Sequence, residues 1–581
     1  MYLRTTQRRN KDGSVVRYVQ LAHNRRVEGV TQAEVLLNLG REDALDRDGL
    51  VRLVASINRY LGEPAPTAVP ADAAVLVGDN LRVTESRPVG TVHLLDGLWR
   101  ALGVDTALRK VLGPRRFSTD VERVLFALVA NRAIDPASKL AAAEWVSCDV
   151  AIPGLETMDE DQAYRAMDLL VGADAQAKVQ EAVFFAVADL LNLEVDLLLF
   201  DTTSTYFERD TEEDGEHAFR RYGHSKDHRT DLPQIVIGLA VTKEGIPVRC
   251  WCWPGNTNDA AILPEVKDGM RDWRLGRVVT VVDRGLSSTD NLDYLTRAGG
   301  HYIAGERMRS GAPPVEQALS RQGRYSTVRD NLRVKEVRLD SSPGRRWVIC
   351  HNPDEAQREK ATRDAALERV AAELDRIKTI RDRVTKTSTS AKTGATKRSA
   401  GRSHRKSSDE AAHVKAECAL RDHPALGRWL RQLPSGRLVI DRSKVAAEQR
   451  LDGKYLLSTS DPDLSAEDIA LGYKNLLEAE RGFRDMKSTL ELRPVFHRIE
   501  PRIRAHVLLC WLALLLIRVT ERRTGLTWRR IAIELGRVHA VTLTGSAGSV
   551  THVTPLSTVQ AGILHGCQVR PPATVTALHP A

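Results

Sequence analysis

Apolar residues change their period several times along this chain of 581 residues. From about Val92 to Leu193 they recur every three to four positions, in HLLDGLWRALGVDTALRKVL and VERVLFALVANRAI, which predicts helices. Asp135-Pro136 interrupts that pattern and SKLAAAEWV resumes it. Beyond Leu193 the period gives way to continuous apolar runs, the mark of strands buried on both faces. VDLLLF (Val195–Phe200) ends at Asp201, and PQIVIGLAVT and IPVRCWCW follow, separated by the turn Lys243-Glu244-Gly245. A helix over Ala260–Trp273, the strand RVVTVV ending at Asp283, a helix over Ser288–Ala298 and the strand HYIAG complete a mixed α/β order.

On either side of this block the pattern is less regular. The first sixty or so residues hold strand-like runs, VVRYVQLA and AEVLLNLG, then a helical stretch from Arg47 to Tyr60 and the Pro/Ala-rich PAPTAVPADAA. Between Arg307 and Ser460 lie a strand (WVICHN) and a long helix on which Leu367, Val370, Leu374, Ile377, Ile380 and Val384 form a seam like a short coiled coil. TKTSTSAKTGATKRSAGRSHRKSS follows, too polar to form a core. Two strands, RLVID and KYLLSTS, lead to a helix that starts near Ser465, with Ser465 and Asp468 as a capping pair, and runs through YKNLLEAERGFRDMKS. An apolar helix over Arg504–Arg518 and the helical TWRRIAIELGRV come next.

These changes divide the chain into a basic α+β segment (1–62), a linker (63–91), a helical region (92–193), the first part of an α/β core (194–306), an α+β insertion (307–460) with a basic tract at about 385–409, the second part of the core (461–549) and a loose tail (550–581). The helical region, with Arg8, Arg9, Lys11, Arg25 and Arg26 before it, is expected to bind DNA in the manner of a helix-turn-helix, although a plain helical bundle has the same pattern.

Composition narrows the class without naming it. Hydrophobic residues at 42% and charged residues at 28% suit a globular protein with ample core. A net charge of +9 suits a polyanionic partner but is shared by many unrelated proteins. Seven cysteines without a C-x-x-C pair give neither a zinc ribbon nor a disulfide framework, so reduced thiols in a cytoplasm are expected. The N-terminus has no apolar secretory region, and the apolar run near Val507–Ile517 is short for a bilayer, so no membrane association is expected.

Two acids that follow buried strands, Asp201 and Asp283, stand where open α/β sheets bind ligands. Carboxylate oxygens suit Mg²⁺, and two such ions can act on a phosphodiester. Glu480 lies seven residues after Tyr473 and seven before Lys487, so a continuous helix would carry all three on one face, with Arg484 one turn from Glu480. Cations and a hydroxyl beside an acid suit metal-dependent chemistry on DNA phosphates, although a solvated charged helix has the same pattern.

With these residues the chain resembles the insertion-sequence transposases with a DDE triad, in the branch marked by Y-x2-R-x3-E-x6-K (the IS-four, or Y-R-E-K, superfamily). Tyr473, Glu480 and Lys487 fall at those spacings; Leu476 stands where the branch has Arg, and Arg481 or Arg484 could substitute. FDTTSTYFE, SKDHRTDLPQIVIGLAV, PGNTND, VVDRGLSS, ERGFRDMKSTLELRPVFH and RIRAHVLLCWLALLL extend the resemblance from about Glu122 to Ile517. Asp201 and Asp283 are 82 residues apart and Asp283 and Glu480 are 197 apart, which fits the subgroup with a long insertion before the Glu. The resemblance implies an RNase H-like core and catalysis by Asp201, Asp283 and Glu480 holding two Mg²⁺ ions, for which Mn²⁺ substitutes. It also implies DNA contacts by Tyr473, Arg481, Arg484 and Lys487. The enzyme is then expected to cleave the element's inverted-repeat ends and join their 3′-hydroxyls to target DNA, as a homodimer in a prokaryotic, nucleoid-associated setting. Another Mg²⁺-dependent nuclease or phosphohydrolase, and an inactive DNA-binding relative, are the competing readings.

Overall fold

The computed structural model describes residues 2–9, 15–27, 30–42, 45, 50, 81–113, 120–390 and 413–580, apart from 175–176, 192, 194, 210, 216–217, 274, 276 and 547. The helix expected over Arg47–Tyr60 apart from Leu50, the first part of the linker (63–80) and most of the basic tract lie outside the described residues. Two compact units emerge, one built on residues 1–82 and the other on 83–544 and 548–580.

The first unit is an antiparallel sheet of β1 (Tyr2–Arg9), β2 (Val15–Val27) and β3 (Val30–Arg41) in the order β1-β2-β3. β1, YLRTTQRR, is almost entirely polar, which is why apolar periodicity did not reveal it.

The second unit opens with β4 (Arg82–Pro88), in a stretch expected to be linker. Six α-helices follow among the described residues: α1 (Gly90–Ala101), α2 (Val104–Leu112), α3 (Val121–Ile134), α4 (Lys139–Glu144), α5 (Glu160–Ala173) and α6 (Lys178–Leu191). Every residue of α3 from Glu122 to Ala133 is buried, so α3 is a core helix with no face left for a DNA groove. Its charges are used internally. Glu122 accepts from the Trp99 indole at 2.7 Å and pairs with Arg123 at 2.5 Å, and Arg123 reaches Asp96 at 2.5 Å.

The central sheet then begins. β5 (Leu197–Tyr206), β6 (Gln234–Thr242) and β7 (Pro247–Pro254) form an antiparallel meander. After α7 (Asp259–Gly269), β8 (Val279–Val282) pairs parallel to β5, and after α8 (Thr289–Thr296), β9 (His301–Glu306) pairs parallel to β8. The resulting order, β7-β6-β5-β8-β9 with only β6 reversed, is the RNase H-like sheet. All nine residues of β6 are buried, consistent with its continuous apolar run.

The insertion adds to this sheet instead of standing apart from it. It includes α9 (Pro313–Ser320), β10 (Ser326–Arg329), β11 (Leu332–Arg338), β12 (Arg346–His351), α10 (Pro353–Ser390), the hairpin β13 (Leu430–Gln432) and β14 (Leu438–Ile440), α11 (Arg442–Gln449) and β15 (Lys454–Thr459). β15 seats between β9 and β12, giving nine strands in the order β10-β11-β12-β15-β9-β8-β5-β6-β7. The seam of α10 buries Val370 and Ile377 against Leu420, Leu426 and Trp429 from the segment that follows, so it closes a small local core.

From β15 the chain enters α12 (Ala466–Lys474) and α13 (Leu477–Ser488), then α14 (Glu500–Thr524) and α15 (Trp528–Leu535). Ser465 caps α12 by accepting from the Asp468 N–H at 3.0 Å. α14 is longer than its apolar run and reaches membrane-spanning length, but its apolar window is 94% buried within the fold. It joins α3, α5 and one face of the sheet in a single core. The helices over residues 92–193 share that core. The residues after 549 are not a loose tail. β16 (His539–Gly545), β17 (Gly548–Val553) and β18 (Val575–Pro580) form a sheet with β4, and α16 (Thr558–Gly566) begins with a full capping box at Ser557. These strands are short and half-polar and carry little periodic signal. All seven cysteines are free.

Candidate active site

Side chains alternate across a strand, and the alternation in β5 and β8 decides where their acids point. Leu199 and Val281 belong to the core on the α14 side of the sheet, whereas Phe200 and Val282 belong to the opposite core. Asp201 and Asp283 therefore share the α14 side. Phe200 pairs with Val282 in the parallel ladder, so the next residue on each strand is an acid, on chains roughly 4.8 Å apart. Asp201 does not end its strand as the sequence suggested, because β5 continues to Tyr206. The residues beyond it, TTSTY, are β-branched or aromatic except for Ser204, and they pair fully with β6.

Glu480 comes from the first turn of α13, which packs on this same side. A Cβ at Gly482 would lie 2.8 Å from Leu239 Cδ2 on β6, so the missing side chain lets the helix approach the sheet. From above, Arg518 of α14, only 2% exposed, holds Asp485 of α13 at 2.9 Å. Glu480 itself is exposed.

Tyr473 is on α12. The helix turns at Asn475 and Leu476, so the continuous helix expected from the seven-residue spacing is two helices, with Leu476 buried at the joint. The Tyr473 hydroxyl donates to Asp283 Oδ1 at 2.8 Å. It lies over Gly305 of β9, where a Cβ would come within 2.9 Å of Tyr473 Cζ. Burial and the neighbouring Asp283 and Glu480 push the Tyr473 hydroxyl pKa up, so it stays a donor.

Asp201 is one-fifth exposed and stands 3.7 Å from the Lys226 ammonium. Lys226 also donates to the Thr202 carbonyl at 2.5 Å and the Thr202 hydroxyl at 2.7 Å. Burial raises the Asp201 carboxyl above its ordinary range, Lys226 and the Thr202 N–H lower it, and the charges of Asp283 and Glu480 raise it again. The three acids are thus close enough to repel, and a divalent cation among them would relieve the repulsion. Their all-oxygen donor set suits such a cation. Among the described residues, however, no three Asp, Glu, His or Cys side chains stand in a ready ligating cluster.

Lys487 points inward. It donates to the Thr203 hydroxyl at 2.8 Å and pairs with Asp227 at 2.9 Å, and Arg493 meets the other oxygen of Asp227 at 2.7 Å. Burial lowers the Lys487 pKa and Asp227 raises it. Arg481 pairs with Glu521 at 2.9 Å. Arg484 is exposed and has no ion pair among the described residues. Sequence reasoning did not single out Lys226, Asp227, Thr203 or Arg493. The first two lie in SKDHRTD, and their density of charge just before a buried strand was the available signal.

Acids on adjoining parallel strands of an RNase H-like sheet suit metal-assisted phosphoryl transfer. A family model described as "Transposase DDE domain" matches residues 196–516, more than half of the chain, and one described as "IS1634 family transposase, N-terminal domain" matches residues 3–69. The chain belongs to the DDE transposases of insertion sequences, enzymes that act on DNA and depend on a divalent metal. Among solved structures it is similar to a piggyBac transposase in a synaptic complex with hairpin DNA, with 9% identity over 76% of each chain and a TM-score of 0.32, a likeness too slight to bear on the site. No curated protein matches the chain.

Proposed function

We propose that this transposase cleaves the inverted-repeat ends of its element and joins their 3′-hydroxyls to target DNA, with Asp201, Asp283 and Glu480 as the catalytic and metal-holding residues. The observation that supports this most is the parallel pairing of Phe200 with Val282, one residue before each strand acid, on the side of the sheet covered by the helix of Glu480. Two Mg²⁺ ions, or Mn²⁺ in their place, supply when bound the positive charge that activates the attacking oxygen and stabilises the leaving one. Lys226 holds Asp201 in place, and Tyr473 orients Asp283 through its hydrogen bond. Lys487 and Tyr473 act as positioning residues in this reading, because each is engaged within the chain. Arg484, exposed one turn from Glu480, is the phosphate contact, and Arg481 stands beside it at the rim. Tyr473, Glu480 and Lys487 favour the Y-R-E-K branch, with Leu476 given to packing instead of DNA. The working form is a homodimer that pairs two ends, in the cytoplasm of a prokaryotic cell.

The test is incubation of the full chain with duplexes carrying the element's ends, in Mg²⁺ and in EDTA. Joined products that require Mg²⁺ and both ends support the proposal. Cleavage without any joining would make the protein a nuclease and reject it.

A further inference from the structure

A second cationic feature lies beyond the carboxyl end of α13. A cavity of about 350 Å³ is lined by Arg132, Lys139, Tyr164, Glu491, His497 and His506, among others. Lys139 is 3% exposed and makes no hydrogen bond or ion pair with any described residue, so its ammonium faces the cavity alone. Arg132, 4% exposed, donates to the carbonyls of Ala137, Leu490 and Glu491 and leaves its Nε without a partner. His506 meets the Leu492 carbonyl at 3.1 Å through Nε2, and its buried Nδ1 has no partner. The His497 ring sits 5.3 Å from that of His506. Against these groups stands one lining carboxylate, that of the exposed Glu491.

A buried ammonium without a counter-ion is costly, and ordinary cores avoid it. Burial pushes Lys139 down to about 7 and His497 down to about 3, the signature of basic groups without an acid to stabilise their charge. An anion in the cavity would supply that partner. The position suggests which anion. Glu491 and Pro494 line the cavity, and Arg493 between them pairs with Asp227, which in turn holds Lys487 on α13. One short segment therefore joins the cavity to the helix of Glu480.

We propose that this cavity receives a backbone phosphate of the DNA strand held at the active site, with Lys139 as its principal cation. This rests on the reading that DNA lies along the face of Asp201 and Glu480. A contact of this kind positions the strand and is blind to its sequence.

The experiment compares the full-length wild type with Lys139→Met and Lys139→Arg. In the first arm, inorganic phosphate is added against chloride at matched ionic strength and thermal unfolding is followed. In the second, duplex ends are titrated at several salt concentrations. Phosphate should raise the midpoint of the wild type and of Lys139→Arg but not of Lys139→Met. Lys139→Met should bind ends about tenfold more weakly, with the salt slope shallower by about one. If the methionine variant fails to fold, Lys139→Gln takes its place in both arms. An equal phosphate response and an equal slope in wild type and variant overturn the proposal. So does a phosphate response that depends on Lys139 while the DNA slope is unchanged, since the cavity then takes a free anion. A wild type that binds no DNA would instead sink the transposase reading, and the phosphate arm, which uses no DNA, separates the two failures.

Discussion

The two halves of the nine-stranded sheet use the same backbone pairing for different ends. In the half made of β7, β6, β5, β8 and β9, strands buried on both faces place two acids side by side on neighbouring chains. In the inserted half, β10, β11 and β12 are antiparallel, β11 mixes buried and exposed positions, and no acid of the site arises there. The inserted half instead ends in β15, which pairs with β9 and leads directly into α12 and α13. Buried polar groups secure that junction. Ser458 donates to Glu306 at 2.5 Å, the Thr459 hydroxyl donates to the Tyr302 carbonyl at 2.5 Å, and Arg277 holds Asp461 at 2.6 Å. One half supplies two acids from rigid strands, and the other delivers the third on a helix. A long insertion need not displace the third acid, because its own strands carry the chain back to the core edge.

The comparison breaks at once if the strand acids are dispensable. Asp201→Asn, Asp283→Asn and Glu480→Gln should each reduce Mg²⁺-dependent cleavage of end DNA to background while leaving the affinity for that DNA within a few fold. A gel assay of cleavage beside a binding titration reads both. Near-normal cleavage by any one of the three would remove that residue from the site.

A smaller effect tests whether the helix side orients the strand side. Tyr473→Phe loses the hydrogen bond to Asp283 and keeps the ring packed beside Tyr455. Loss of such a supporting contact should cost about 10- to 100-fold in metal-dependent rate. The loss should be partly recovered by raising the metal concentration, which a purely structural defect would not allow. Gly305→Ala should act in the same direction, since its methyl would collide with the Tyr473 ring. Unchanged rates in both variants would mean that Asp283 needs no orienting partner.

Weaker still is the expected effect of loosening the insertion. Arg346 of β12 donates to the carbonyls of Asp461 and Leu464 at 2.8 Å each and pairs with Glu336 at 2.8 Å. Arg346→Met should lower stability by about 2–3 kcal/mol through lost charge-assisted hydrogen bonds, and cleavage by only a few fold. Val337→Ala, in the apolar cluster of the insertion, should lower stability without slowing cleavage at permissive temperature. Denaturation midpoints set against cleavage rates check both. Equal slowing by the two variants would show general softening rather than a tether to α12.

Much of this architecture was legible because buried strands advertise themselves. VDLLLF, PQIVIGLAVT and RVVTVV are continuous apolar runs, and the acids follow them directly. Nothing local signals the partners those acids and cations take up. Lys487 and Asp227 are 260 residues apart, and the hydroxyls of Thr84 and Thr544, which tie β4 to β16, are 460 apart. The seven-residue spacing likewise carried no trace of the turn at Asn475 and Leu476, since both residues remain near helical geometry. The polar β1 and the half-polar strands near the C-terminus escaped for a related reason. Their pairing is set by backbone hydrogen bonds, which leave no periodic mark in the side chains.

The smallest expected effect separates two cations that the sequence set on one helix face. Lys487 is 13% exposed in its side chain and committed to Asp227 and Thr203, whereas Arg484 is exposed and has no ion pair among the described residues. If DNA runs past Glu480, its phosphates meet Arg484 and not Lys487. Arg484→Ala should then weaken binding of ends only a few fold, with the salt slope shallower by about one and thermal stability unchanged. Lys487→Ala should do the reverse. It leaves Asp227 with Arg493 alone, so stability falls by about 1–3 kcal/mol while the salt slope for DNA holds. Titrations of both variants at several salt concentrations, beside their unfolding curves, decide between them. A shallower slope in Lys487→Ala at full stability would mean that Lys487 leaves Asp227 to reach DNA, and the inward arrangement would then belong to the free protein alone.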